Sequence, residues 1–93
     1  MEVLKGIKVR NMTSDSTYRE VPNQFIIDTP TARIFQSYST IIAIKQNGQV
    51  FLDKNSWDYS VTTGKYRNKF LGEGIAETRR KIKEGIYKLV DLN

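Results

Sequence analysis

The sequence predicts an α+β fold, a small antiparallel sheet with two short helices in the C-terminal half. Two observations carry this. Asn47-Gly48 stands between two apolar, β-branched runs, "TIIAIKQ" and "QVFLD", where a tight hairpin turn belongs. After Asn55 the apolar period then lengthens from two to about three and a half, so strands give way to helices.

Taken in order, "VLKGIKVRNM" (Val3 to Met12) alternates imperfectly and is expected to form a first strand, with Val3, Ile7 and Val9 facing a core. The polar stretch 11–24, with Pro22 near its end, is expected to be a long mobile loop. "QFIID" (Gln24 to Asp28) is a short strand, and Pro30 in "TPT" marks a turn or an edge because it cannot donate a ladder hydrogen bond. "ARIFQSYSTIIAIKQ" supplies strands over Ala32 to Tyr38 and Thr40 to Lys45, either separate or as one bent strand. Both Asn47 and Gly48 tolerate positive φ, so Ile41 to Lys45 should pair antiparallel with Val50 to Asp53.

In "SWDYSVTTGKYRNKFLGEG", Trp57 and Tyr59 are expected to alternate at the sheet end, with Trp57 mostly buried. Thr62 or Thr63 should cap a helix whose Tyr66, Phe70 and Leu71 form the apolar stripe, and Gly72 or Gly74 should end it in the left-handed conformation. A second helix should run from Ile75 to Glu84, with Ile75 and Ile82 on one face and Gly85 as terminator. "IYKLV" (Ile86 to Val90) closes the sheet. The 93 residues fit a single domain.

Composition removes whole classes of chemistry. The chain has no cysteine and no histidine. Disulfides, thiolate sites, a Cys nucleophile and a Ser-His-Asp arrangement are excluded, and any metal site must be all oxygen. Asp28, Asp53 and Asp58 are the carboxylates that could hold Mg²⁺ or do acid–base work. Aspartates next to Asn55 and Ser56 are also ordinary turn residues. The expectation is therefore a protein that is not an enzyme and carries no cofactor or metal. No apolar run reaches the roughly 20 residues of a membrane span, and the first residues do not resemble a signal peptide, so a soluble, intracellular protein is expected.

The charge is informative. Residues 65–88 hold eight Lys or Arg against Glu73, Glu77 and Glu84, a net +5 that equals the net charge of the whole chain. Such clustering attracts phosphate or an acidic protein surface. Lys65 and Lys69 stand one turn apart near a helix start, where backbone amides favour anions, and Gly64 would let a phosphate approach closely. "TTGK" lacks the first glycine and the spacing of a Walker loop. In the second helix Glu77 with Lys81 and Arg80 with Glu84 should pair at i, i+4, which leaves Arg79 and Lys83 more available. Arg79 either lays its stem over the core or projects into an interface. The expected nucleic-acid or partner-binding set is thus Lys65, Arg67, Lys69, Tyr59, Arg79 and Lys83. A helix-turn-helix is not expected, because Arg67 and Asn68 fall where that motif needs apolar residues.

One further likeness rests on particular residues. A tyrosine before an apolar strand ("SYSTIIAI"), a hairpin, "WDYSVTTGKYR" with its W-x-Y-S-x-T-T-x-K-x-R spacing, an "FLGE…ET…KI" helix and a final "GIYKL" resemble a small domain of uncharacterised phage and prophage proteins. The resemblance covers about Gln36 to Val90 and brings no known activity. It implies a phage setting, in the cytoplasm of an infected bacterial host, where small accessory proteins bind nucleic acid, host factors or defence complexes. Two functions follow as expectations. One is a non-enzymatic accessory protein that grips nucleic acid through the basic helix face. The other is an anti-defence, anti-CRISPR-like inhibitor that binds a host protein.

Overall fold

A computed structural model describes residues 5–93. Its elements are β1 (Lys8–Thr13), β2 (Glu20–Asp28), β3 (Ala32–Ser37), β4 (Thr40–Gln46), β5 (Gln49–Asp53), α1 (Val61–Leu71), α2 (Ile75–Lys83) and β6 (Tyr87–Val90). The six strands form one sheet in chain order, antiparallel from β1 to β5. The α+β reading therefore stands, with one departure: β6 pairs parallel to β5. A parallel neighbour needs a crossover, and α1 with α2 supplies it.

The Asn47-Gly48 hairpin has the anticipated form. Both residues have positive φ (53° and 76°), and Gln46 pairs with Gln49 across them. The run from Ala32 to Gln46 is two strands rather than one bent strand, joined by Tyr38-Ser39, with Tyr38 at φ 55°.

The N-terminal third departs furthest from expectation. The 11–24 segment is not one loop. Asn11 to Thr13 belongs to β1, Glu20 onward to β2, and only residues 14–19 connect them. The misleading sign was Pro22. It lies in a wide bulge where Met12 alone faces Val21 to Gln24, so its missing N–H disrupts no ladder. Ile7 and Val9 do not face the core: they are 40% and 62% exposed, and Met12 is the buried residue of this strand. Val3, the third core candidate, lies outside the described residues.

Both helices lie on one face of the sheet. The core is built from Met12, Ile26, Phe35, Ile42, Ala43, Leu52, Tyr66, Phe70 and Tyr87, with Trp57 and Ile82 among the residues packed against it. Phe35 and Phe70 meet at 5.8 Å between ring centroids. Buried polar pairs tie the layers together: Ser37 and Thr63 share a hydrogen bond at 3.1 Å, and Lys45 donates to the Phe70 carbonyl at 2.7 Å. Residues 54–60 form a turn, so Trp57 and Tyr59 do not alternate along a strand. Trp57 is half-buried and Tyr59 half-exposed.

Glu73, between the helices, is the hub of a network. It accepts hydrogen bonds from Lys81 (2.7 Å), Thr78 (2.7 Å) and the Tyr87 hydroxyl (2.8 Å). Lys81 thus pairs with Glu73 and not with Glu77, while Arg80 bridges Glu77 and Glu84.

Candidate functional site

The site begins with the entry to α1. Ser60 is extended (φ −151°, ψ 160°), and its hydroxyl accepts from the Thr63 amide at 3.1 Å. Ser60, not Thr62 or Thr63, is therefore the N-cap, and Thr63 is turned inward to Ser37. At the other end Gly72, at φ 73°, gives its N–H to the Asn68 carbonyl, which is the left-handed stop expected of it.

The helix wheel then separates the three alternating cations. At about 100° per residue, Lys65 and Lys69 lie roughly 40° apart, whereas Arg67 lies roughly 160° from each. Arg67 accordingly falls within the buried arc of Thr63, Tyr66 and Phe70, and it is 2% exposed. Its Nη1 donates to the Trp57 carbonyl (2.8 Å) and to Asp58 Oδ1 (3.0 Å), its Nη2 donates to Asn68 Oδ1 (3.0 Å), and its guanidinium lies 5.3 Å from the Trp57 ring centre. Arg67 is thus removed from the solvent-facing set expected of it. It clamps the turn 57–60 onto α1. The same guanidinium packs over Gly64, where a Cβ would meet Arg67 Nη2 at 3.5 Å, an ordinary contact distance. Gly64 is buried against this guanidinium, in the wall of a groove beside α1.

An open groove of about 890 Å³ runs between α1, the turn before it and the start of α2. Lys65, Lys69, Tyr59 and Arg79 line it, together with Asp15 and Asp58, and the buried Gly64 and Arg67 form part of its wall. Lys83 lies one helical turn beyond Arg79 and outside this lining. Two carboxylates counter the cations. Asp15, in the β1–β2 turn, pairs with Lys69 at 2.8 Å, and Lys69 also donates to the Thr13 carbonyl. Asp58 bridges Arg67 and Arg79, the latter at 3.3 Å. The Lys69 ammonium holds the Asp15 carboxyl below its usual range.

A second depression of about 300 Å³ adjoins the first and shares Lys69 with it. Its floor is Met12, Ile26 and Phe70, and its rim carries Arg10 and Arg33. Both arginines bind Asp28, and their hydrogen bonds, that of Arg33 first, lower its carboxyl. Arg10, Arg33, Asp15 and the Asp58 bridge were not identified from the sequence. Strand pairing brings Arg10 and Arg33 together, and Asp15 reaches Lys69 across 54 positions of chain, so no local pattern announces either.

The three aspartates weighed for metal or acid–base work are separately engaged. Asp28 lies between arginines and Asp58 between Arg67 and Arg79. Asp53 is buried and accepts from the Leu92 amide at 2.9 Å. Burial works to raise its carboxyl, but hydrogen bonds from Leu92, Ser56, Asn93 and Asn55 outweigh it and hold the group low. Among the described residues no three acidic side chains gather to hold an ion. No helix among them is long and apolar enough to cross a membrane.

Residues 7–86 match the family of unknown function DUF8033, and the chain belongs to that family. The match takes in β1 and β2, which lie before Gln36, as well as both helices. No curated protein and no solved structure matches the chain.

Proposed function

For this member of the DUF8033 family we propose a non-enzymatic role in binding a nucleic-acid backbone along the groove beside α1. One observation carries the reading: Lys65 and Lys69 project from one side of α1 into a groove that Arg79 enters from α2, and Lys69 continues into the depression rimmed by Arg10 and Arg33. Cations strung along adjoining depressions suit a chain of phosphates better than a single anion. Tyr59, half-exposed on the same groove, offers a face on which a base can stack. The carboxylates do not bar the way. Exposed ion pairs such as Asp58–Arg79 are worth only about 0–1 kcal/mol, so a phosphate can exchange for them. A phage setting, which the resemblance implies, suits a small accessory protein of this kind.

The test is a salt titration of binding to single- and double-stranded DNA and RNA. About three to four phosphate contacts give a log–log slope of roughly −2 to −4. Lys65→Ala with Lys69→Ala should weaken binding and flatten the slope by roughly 1.4–1.8. The control is Lys54→Ala with Lys88→Ala, neither of which lines either depression. Lys8 is a poor control because it pairs across the strands with Asp28, beside Arg10. Equal losses from both pairs, or no binding by the wild type at low salt, would overturn the proposal.

The rival reading, an anti-defence inhibitor of a host protein, draws on a different observation. Val61 is 91% exposed next to Tyr59, and Tyr18 is 83% exposed in the turn that holds Asp15. Tyrosines beside arginine are favoured at protein interfaces. Loss of a host-protein complex on Tyr18→Ser with Val61→Ser, with nucleic-acid binding unchanged, would favour this reading.

A further inference from the structure

The sheet has a second face, and its composition is unlike the rest of the molecule. Cross-strand partners point to the same side, so the ladder Val9–Ile27–Ile34–Ile44–Phe51 runs across five strands on the face away from the helices. Phe25 and Ile41 extend it, by their pairing with Asn11 and Gln36. None of these residues belongs to the core or packs against it. Ile27, Ile34, Ile44 and Phe51 are half-buried, shielded only by one another, and among the described residues no element covers them. The alternation along β3 and β4 is therefore apolar on both sides, as in a sheet covered on both faces.

We propose that a second copy of this chain covers this face, the two sheets packing face to face in a symmetric dimer. Three observations select that occupant. The first is charge. More than a quarter of the chain is charged, yet the ladder carries one charge among the described residues, Lys88 at its β6 end. Two copies that each bear +5 can meet there without opposing like charges across the centre, whereas nucleic acid finds almost nothing to hold. The second is self-complementarity. Gln36, Gln46 and Gln49 lie on the same face by register. The Gln36 and Gln49 amides already donate to the Tyr38 carbonyl and to the Val50 and Ile86 carbonyls, which leaves their carboxamide oxygens to accept, and Gln46 can donate to such an oxygen of its own copy across a two-fold axis. The third is area. Five inter-strand gaps of about 4.8 Å and five to six residues at about 3.3 Å give roughly 400–500 Å² in projection. Side-chain relief brings the accessible area to the order of 600–700 Å², which reaches the lower range of a stable interface, about 600 Å² per partner. Both helices lie on the opposite side of the sheet, so a sheet-to-sheet sandwich leaves both basic grooves outward. The dimer is independent of what those grooves bind.

Sedimentation equilibrium tests this directly. The wild type should have twice the 10.8 kDa chain mass. Ile34→Lys with Ile44→Lys should sediment as a monomer with an unchanged circular dichroism spectrum, because it adds like charges at the centre of the face and leaves the core alone. A second measurement does not depend on that variant folding. The chain has no cysteine, so Ile34→Cys introduces a single thiol, and a short bifunctional thiol reagent should join two chains through it. Val61→Cys, on the helix side and 91% exposed, is the comparison. Cross-linking through residue 34 well above that through residue 61 supports the dimer. A wild type that is monomeric at every concentration, or cross-linking no better at 34 than at 61, overturns it and assigns the face to a different polypeptide or to a lipid surface.

Discussion

Arg67→Lys separates two roles that a cation at this position could have. If the side chain faced solvent to meet phosphate, lysine would serve nearly as well, and stability would move by no more than about 0.5 kcal/mol, as for most exposed substitutions. The observed geometry demands more. The guanidinium delivers three hydrogen bonds in a fixed fork, to the Trp57 carbonyl, Asp58 and Asn68, from a side chain that is 2% exposed. An ammonium is a point donor, and it cannot reach three acceptors set around a planar fork. At least one bond is lost, in a place where hydrogen bonds involving a charged group are worth about 1.5–3 kcal/mol each. Asp58 softens the loss because its side chain is 35% exposed and can rehydrate. The Trp57 carbonyl and Asn68 have less recourse. The expected cost is about 2–3 kcal/mol, which in a domain of this size lowers the melting temperature by roughly 10–20 °C. Urea unfolding followed by far-ultraviolet circular dichroism and by Trp57 fluorescence measures it. A midpoint loss below about 0.5 kcal/mol would refute the clamp. Below the transition the variant should still bind nucleic acid, since Lys keeps the charge at this buried position and Lys65, Lys69 and Arg79, the other cations that line the groove, are untouched.

Two further outcomes are expected. Ser60→Ala should cost about 1 kcal/mol in the same urea assay, while Thr62→Ala, at an exposed site, should stay within about 0.5 kcal/mol; the reverse order would return the cap to threonine. Burial works to raise the Glu73 carboxyl, but Lys81, Thr78 and Tyr87 outweigh it and leave it below its usual value, so its contribution is complete above the unfolded pKa of about 4.3 and is lost as pH falls through the lower folded value. Glu73→Gln should therefore flatten the fall of stability below about pH 4.5, and a variant with the same acid slope as the wild type would show that Glu73 titrates alike in both states.

What could be read in the sequence was whatever is fixed locally. The β4–β5 hairpin is set by two residues that accept positive φ, and both helix stops by glycines at φ 73° and 77°. Tyr66 and Phe70 announced the buried side of α1 by their spacing. What was not legible depended on contacts distant in sequence. Pro22 and the polar run around it looked like a loop because the wide bulge that accommodates them exists only when β1 is alongside. The parallel placement of β6 is a decision of the crossover, and "IYKLV" alternates the same way in either direction. The error at Arg67 was of another kind, since the information was present. Lys65, Arg67 and Lys69 alternate with the period of a strand, and on a helix that alternation sends the middle residue to the opposite side.

The cations of residues 65–88 are therefore not one patch. Arg67 is internal, Arg80 and Lys81 are held by glutamates within the helical layer, and Arg79 and Lys69 reach the groove already paired with Asp58 and Asp15. Among the described residues Lys65, Lys83 and Lys88 enter no ion pair, and of these only Lys65 lines the groove. A net +5 thus overstates the charge presented to a ligand, and a phosphate must gain much of its grip by exchange with aspartate. At Asp58 that exchange has a structural counterweight. One of its oxygens holds Arg79 and the other Arg67, so a phosphate that takes Arg79 leaves the clamp on Arg67 intact. The arrangement lets the groove surrender an ion pair without loosening the turn that shapes it, and it accounts for an aspartate at the mouth of a basic groove.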